Sequence, residues 1–116
     1  MEVHVASLSR HDRVLICTIV RGEILYGLER MPRGRHQRES ERKARDLFKT
    51  MECEPISEAA ADHYARIKRE AERQGTVVAE NDLWIAATAF ALGATLVTSD
   101  KDFNRIRGLD IEDWTD

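Results

Sequence analysis

The sequence predicts an α/β fold with a mainly parallel central sheet flanked by helices, and three observations predict it. Short apolar runs, Val14-Leu15-Ile16-Cys17 and Thr95-Leu96-Val97-Thr98, alternate with longer segments whose apolar residues recur every three or four positions. The second run carries no polar alternation, as expected of a strand covered on both faces. Between these runs, Asn81-Asp82-Leu83-Trp84-Ile85-Ala86-Ala87-Thr88-Ala89 opens on an acid and is otherwise almost wholly apolar, which marks a helix buried all round.

In chain order, residues 2–10 show a weak helical period in Val3, Val5, Ala6 and Leu8 and read as the tail of a helix. Residues 13–17 read as a buried strand. Thr18 is a suitable N-cap for a helix reaching about Glu29, and Pro32 and Gly34 then break the chain. Residues 35–50 are a charged helix that makes its apolar contacts through Ala44, Leu47, Phe48 and Met51. Residues 52–56 are a weak extended piece. Pro55 has no N–H for a ladder, so a strand here is an edge or ends at Glu54. Ser57 caps a long helix with a stripe of Ala60, Tyr64, Ile67 and Ala71, and Gly75 stops it. The apolar helix covers residues 82–92, with Asn81 as its N-cap and Gly93 as its stop. After the strand at 95–98 come a turn or short helix over 101–106 and a last extended piece around 109–111.

At 116 residues with a net charge of −3, the chain is expected to form one domain without the global basic field of a simple nucleic-acid binder. A nuclease is not excluded, because a bound metal supplies local positive charge. Arg30, Arg33, Arg35, Arg38, Arg42, Lys43 and Arg45 are interleaved with Glu39, Glu41 and Asp46. They form either a solvated helix face or a basic rim for RNA or an acidic partner. Cys17 and Cys53 have no metal-ligand spacing and read as reduced thiols of a cytoplasmic protein. His4, His11, His36 and His63 are scattered and receive no role. No stretch reaches membrane-spanning length, and no membrane association is expected.

Three acids stand out by position. Glu23 edges the apolar face of the first strongly patterned helix. Asp82 opens the apolar helix, and Asp100 follows a strand end, where ligands gather in open α/β sheets. Each has a plain alternative: Glu23 at the rim pairing with an arginine, Asp82 complementing the helix dipole, Asp100 capping the next turn. Asp102 is a second-choice ligand. Converging carboxylates hold Mg²⁺ or Mn²⁺, and a metal so held neutralises phosphate and activates water. Without it the carboxylates repel one another and at least one pKa rises.

The order and spacing of Thr18-Ile19-Val20-Arg21-Gly22-Glu23-Ile24-Leu25-Tyr26-Gly27, the segment from Asn81 to Ala89, and Gly93-Ala94-Thr95-Leu96-Val97-Thr98-Ser99-Asp100-Lys101-Asp102-Phe103 resemble the PIN-domain ribonucleases. The likeness is to the toxins of VapBC-type toxin–antitoxin pairs, with Gly108 to Trp114 similar to the family's closing strand and tail. The resemblance implies a PIN-like three-layer fold and an Mg²⁺- or Mn²⁺-dependent endoribonuclease. Glu23, Asp82 and Asp100 match the family's second, third and fourth acids, which implies metal-holding and catalytic roles for them. Thr98 and Asn81 match polar positions beside the site. The resemblance further implies an RNA substrate, a homodimer and a VapB-type antitoxin. The family's first strand, which ends in an Asp, has no counterpart here, and Asp12 precedes a strand rather than ending one. The chain is therefore expected to be N-terminally truncated, with a strand missing inside the sheet and a carboxylate missing from the site. The alternative function is that of an impaired toxin that only binds antitoxin.

Overall fold

The computed structural model describes residues 6–11 and 13–115 and builds them into a five-stranded sheet with helices on its faces. In chain order these are β1 (Ser7–Arg10), β2 (Arg13–Cys17), α1 (Thr18–Arg30), α2 (Arg35–Thr50), β3 (Glu52–Glu54), α3 (Glu58–Arg73), α4 (Glu80–Leu92), β4 (Thr95–Val97), a 3₁₀ turn (Lys101–Arg105) and β5 (Ile111–Glu112). The strand order is β3-β2-β1-β4-β5. The α/β class with alternating strands and helices stands as read from sequence.

The centre of the sheet differs from expectation. The expected helical tail over 2–10 is replaced, within the described residues, by β1, which fills the interior place expected to be empty. It pairs antiparallel with β2 (Leu8 opposite Leu15) and with β4 (Leu8 opposite Leu96), while β2–β3 and β4–β5 are parallel, so the sheet is mixed. The physical reason is backbone satisfaction: an interior gap would leave two rows of unpaired N–H and C=O groups, and β1 pairs on both sides. Its pairing of Arg10 with Arg13 closes a hairpin in which His11 adopts φ 51. Met1 and Asp12, which bear on the expected truncation, lie outside the described residues. β3 ends at Glu54, ahead of Pro55, and is also an outer strand.

The core is continuous from Leu8, Ile16 and Leu96 on the sheet to Val20, Ile24 and Leu28 of α1 and to Leu83, Ile85, Ala86, Ala87 and Ala89 of α4. The alanines of α4 are what let the sheet and α3 approach it. Ala86, Ala87 and Ala89 are fully buried, and an added side chain there would overpack the interior at about 1–3 kcal/mol. Thr88, also buried, donates its hydroxyl to the Trp84 carbonyl at 2.8 Å and so leaves no orphan polar atom.

Helix ends follow local chemistry with two corrections. Ser57 Oγ accepts from Ala60 N–H at 3.1 Å, as expected. α4 ends with Gly93 left-handed at φ 61, Ala94 N–H bonding the Ala89 carbonyl and Gly93 N–H the Phe90 carbonyl, the paired bonds of a Schellman stop. Thr18 is the first helical residue rather than the cap, because β2 runs directly into α1 and Cys17 takes that place. Ala79, not Asn81, precedes α4, and Asn81 lies within its first turn.

Candidate metal centre

Asp82, Asp100 and Asp102 each present a carboxylate oxygen within 4.8 Å of the others. Asp82 is placed by the first turn of α4, and Asp100 and Asp102 by the 3₁₀ turn that follows β4. Glu23, on α1, stands across the same cleft. This open space of about 160 Å³ is lined by Ala6, Glu23, Asp82, Ile85, Thr98 and Asp100 among others. The three acids singled out from sequence are therefore brought to one cleft. Asp102, ranked second there, joins the tightest group, and Glu23 lines the cleft close enough for its charge to act on Asp82.

The polar neighbours act on these carboxylates. Asp100 Oδ1 accepts from Asp102 N–H at 2.9 Å, so it is indeed the cap of the 3₁₀ turn. The cap uses one oxygen and leaves the other for a ligand, so capping and ligation are compatible. Thr98 Oγ1 accepts from Asp100 N–H at 3.1 Å and fixes the chain where it leaves the sheet. Asn81 Nδ2 donates to Glu23 Oε2 at 3.4 Å, tying α4 to α1 across the cleft.

Partial burial, then the charges of Asp100, Glu23 and Asp102, push the Asp82 carboxyl up to about 6. In the described residues the cation paired with a member of this carboxylate cluster is Arg105, whose Nη2 lies 3.7 Å from Asp102 Oδ1. Sequence reasoning did not single out Arg105. The signal was present, since in a 3₁₀ turn side chains at i and i+3 eclipse one another. A set of carboxylate oxygens with so little compensating charge has the chemistry of a hard divalent cation site, and a thiol- or imidazole-preferring metal would find no ligand of its own kind here.

The remaining surface carries other patterns. Glu80, next to the site in sequence, is held by Lys68 and by the Tyr64 hydroxyl, and the Tyr64 ring stacks on Trp84 at 3.9 Å. On α2, Arg35 pairs with Glu39 at 3.2 Å, and Arg21 of α1 lies over the Phe48 ring at 4.2 Å. Cys17 is buried, which pushes its thiol pKa up, and Cys53 is half-buried; both are free thiols. No helix of the described residues is long and apolar enough to cross a membrane.

A sequence model of the PIN domain matches residues 2–109. The chain belongs to the PIN-domain family. Ribonuclease VapC2 of Rickettsia felis is 32% identical to this PIN domain over 109 residues, which span 92% of this chain and 78% of that protein. The tRNA(fMet)-specific endonuclease VapC of Salmonella typhimurium is 32% identical over 105 residues, 89% of this chain and 76% of that protein. Among solved structures, VapBC-1 from nontypeable Haemophilus influenzae superimposes with a TM-score of 0.81 at 30% identity, covering 94% of this chain and 80% of that one. VapBC2 from Rickettsia felis, bound to a DNA fragment from its promoter, gives 0.79 at 30% identity, covering 87% and 74%. The α/β PIN fold read from the motifs is thus matched in both sequence and structure.

Proposed function

We propose that this PIN domain is a metal-dependent endoribonuclease, the toxin of a type II toxin–antitoxin pair, with Glu23, Asp82 and Asp100 as its metal-holding and catalytic residues and Asp102 as a further ligand. The observation that carries the reading is Asp82, a half-buried carboxylate facing three others in an open cleft. Relatives named as ribonucleases over most of this chain's length supply the reaction class.

A bound Mg²⁺ or Mn²⁺ would offset phosphate charge and make water a stronger nucleophile at neutral pH. The protein's own contribution is orientation. Asp82 and Asp100 converge from a helix start and a strand end. Asn81 steadies Glu23, and Thr98 steadies the backbone of Asp100. Asp100 keeps one oxygen on the turn and offers the other to the ligand. The hydrolysed bond is a phosphodiester of RNA, opened by in-line attack of water.

The antitoxin is the second proposed partner. An open groove of about 370 Å³ between the end of α1 and the start of α2, lined by Leu28, Met31, Gln37 and Arg38 among others, supports a segment of VapB type docking beside α2. A homodimer and a cytoplasmic location complete the reading, the latter in keeping with two free thiols.

The test is cleavage of total RNA by the purified chain with Mn²⁺, with and without chelator, beside Asp82→Asn. Chelator-sensitive cleavage that the variant lacks supports the assignment. Equal cleavage by the variant overturns it. A folded chain that binds antitoxin but never cuts RNA would leave the binding-module alternative.

A further inference from the structure

We propose that Arg105 is a substrate-binding residue, whose guanidinium takes an RNA phosphate next to the acidic cleft, and that Arg66 and Arg107 continue the path of the strand along the groove between α3 and the 3₁₀ turn. The inference rests on the ribonuclease reading above and adds the side from which the strand enters.

Arg105 sits at a junction. Its Nη1 donates to the Val77 carbonyl at 3.0 Å, which anchors the guanidinium to the loop ahead of α4. Its Nη2 is 3.7 Å from Asp102 Oδ1, beyond good hydrogen-bond distance, so this edge is only loosely engaged. The side chain is 53% exposed. The same residue lines the next groove, with Arg66, Glu70, Gln74 and Arg107. There three guanidinium groups face one carboxylate, and Arg107 reaches that carboxylate, Glu70, only at 3.9 Å. Arg66 packs over the Phe90 ring at 5.1 Å, with His63 stacked on the same ring.

Electrostatics requires such a flank. Four carboxylates with one divalent ion still carry negative charge, and a polyanion approaching them needs cations beside the reacting bond. The basic rim of α2 is the competing route. Neither its groove, lined by Arg35, Arg38, Glu39 and Arg42, nor the α3 groove shares a lining residue with the acidic cleft. The α3 groove, however, contains Arg105, which approaches Asp102 of the acidic cluster at 3.7 Å, and no arginine of the α2 groove pairs with an acid of that cluster among the described residues.

The experiment measures binding of a fluorescein-labelled single-stranded oligouridine by anisotropy across a salt series. It compares Asp82→Asn with the same chain carrying Arg105→Gln, Arg105→Lys, Arg107→Gln or Arg42→Gln. Mn²⁺ binding to the single Arg105→Gln chain is measured by calorimetry. Arg105→Gln is expected to weaken RNA binding about fivefold and to flatten the slope of log Kd against log salt by about 0.7, the share of one single-strand phosphate contact. Arg105→Lys keeps the slope, Arg107→Gln flattens it, and Arg42→Gln leaves it unchanged. Mn²⁺ affinity is equal to the parent's or tighter, since a cation near Asp102 has gone. The inference is overturned if Arg105→Gln binds RNA with the parent's slope, or if its main effect is lost Mn²⁺ binding, which would make Arg105 a scaffold of the acids. A parent chain that neither binds nor cuts RNA overturns the ribonuclease reading itself, a separate result from an active parent indifferent to Arg105→Gln.

Discussion

Glu80 and Asp82 occupy the same first turn of α4 and meet opposite surroundings. Glu80 is held by the Lys68 ammonium and the Tyr64 hydroxyl, which lower its pKa. Asp82 faces Asp100, Glu23 and Asp102, and its pKa rises to about 6. Both acids feel the same helix N-terminus, which favours the charged form. At Asp82, partial burial and the neighbouring carboxylates outweigh the favourable helix N-terminus. One acid is compensated by neighbouring protein groups, and the other is surrounded by further carboxylates.

Breaking the comparison at Asp82 should give the largest effect. Asp82→Asn is expected to reduce Mn²⁺-dependent RNA cleavage by at least about 100-fold, more than loss of an outer-shell partner usually costs. In chelator the same variant should melt higher than the parent, since a repelled carboxylate has been neutralised. A lower melting temperature would mean that Asp82 is structural.

The second expectation concerns protons. Around pH 6, Mn²⁺ binding should release roughly half a proton from Asp82, and the release should vanish toward pH 8, where the group is already ionised. Calorimetry in buffers of different ionisation enthalpy reads this directly. Release that does not change between those pH values would place the perturbed group elsewhere.

Next is stability against pH without metal. Asp82 binds its proton more tightly folded than unfolded, so its contribution to stability is largest in acid and falls as pH rises from about 3.8 to about 6. The group is partly solvated, which screens the loss to about 1 kcal/mol or less. Glu80 acts with the opposite sign: its ion pair stabilises at neutral pH and is lost as the pH falls through its lowered folded pKa. Denaturant titrations of Asp82→Asn and Glu80→Gln should separate the two slopes.

The smallest effect belongs to Lys68→Met. Removing the cation should let the Glu80 carboxyl titrate at higher pH by NMR, with only a slight drop in melting temperature, because both groups are exposed. Cleavage should stay within about threefold of the parent, as expected of a surface pair. A large loss of cleavage would mean that the clamp sets the position of Asp82.

Much of this site was legible in the sequence because its signals are local. An acid ahead of an unbroken apolar run, and another just past a buried strand, single out Asp82 and Asp100 as candidates, and the family resemblance rather than the local signal gives them a role. α2 was legible over its full length, bounded by Gly34 and an apolar stripe. What was not legible depended on distant partners. Asn81 has the chemistry of an N-cap, but its amide is directed to Glu23 on another helix, and α4 begins earlier with Glu80 held by Lys68. Asp102, the second-choice ligand, is 60% exposed yet comes within 4.8 Å of Asp82 and Asp100, and nothing in the spacing says that the turn folds back beside α4. β1 was missed for two reasons. Four residues are too few to show a period, and the hairpin after Arg10 lacks the Asn-Gly or Asp-Gly signature of a tight turn.

That same strand has a kinetic consequence. β1 and β2 pair across a tight hairpin and can associate as soon as both exist, whereas Ser9 must wait for Thr95 before its other edge is satisfied. The middle of the sheet thus joins the paired strands that lie farthest apart in sequence. Until β4 arrives, a chain emerging during synthesis carries an open strand edge, vulnerable to pairing with another molecule. Folding should accordingly be slow for a chain of this size, with its rate limited by the meeting of the two halves of the sheet.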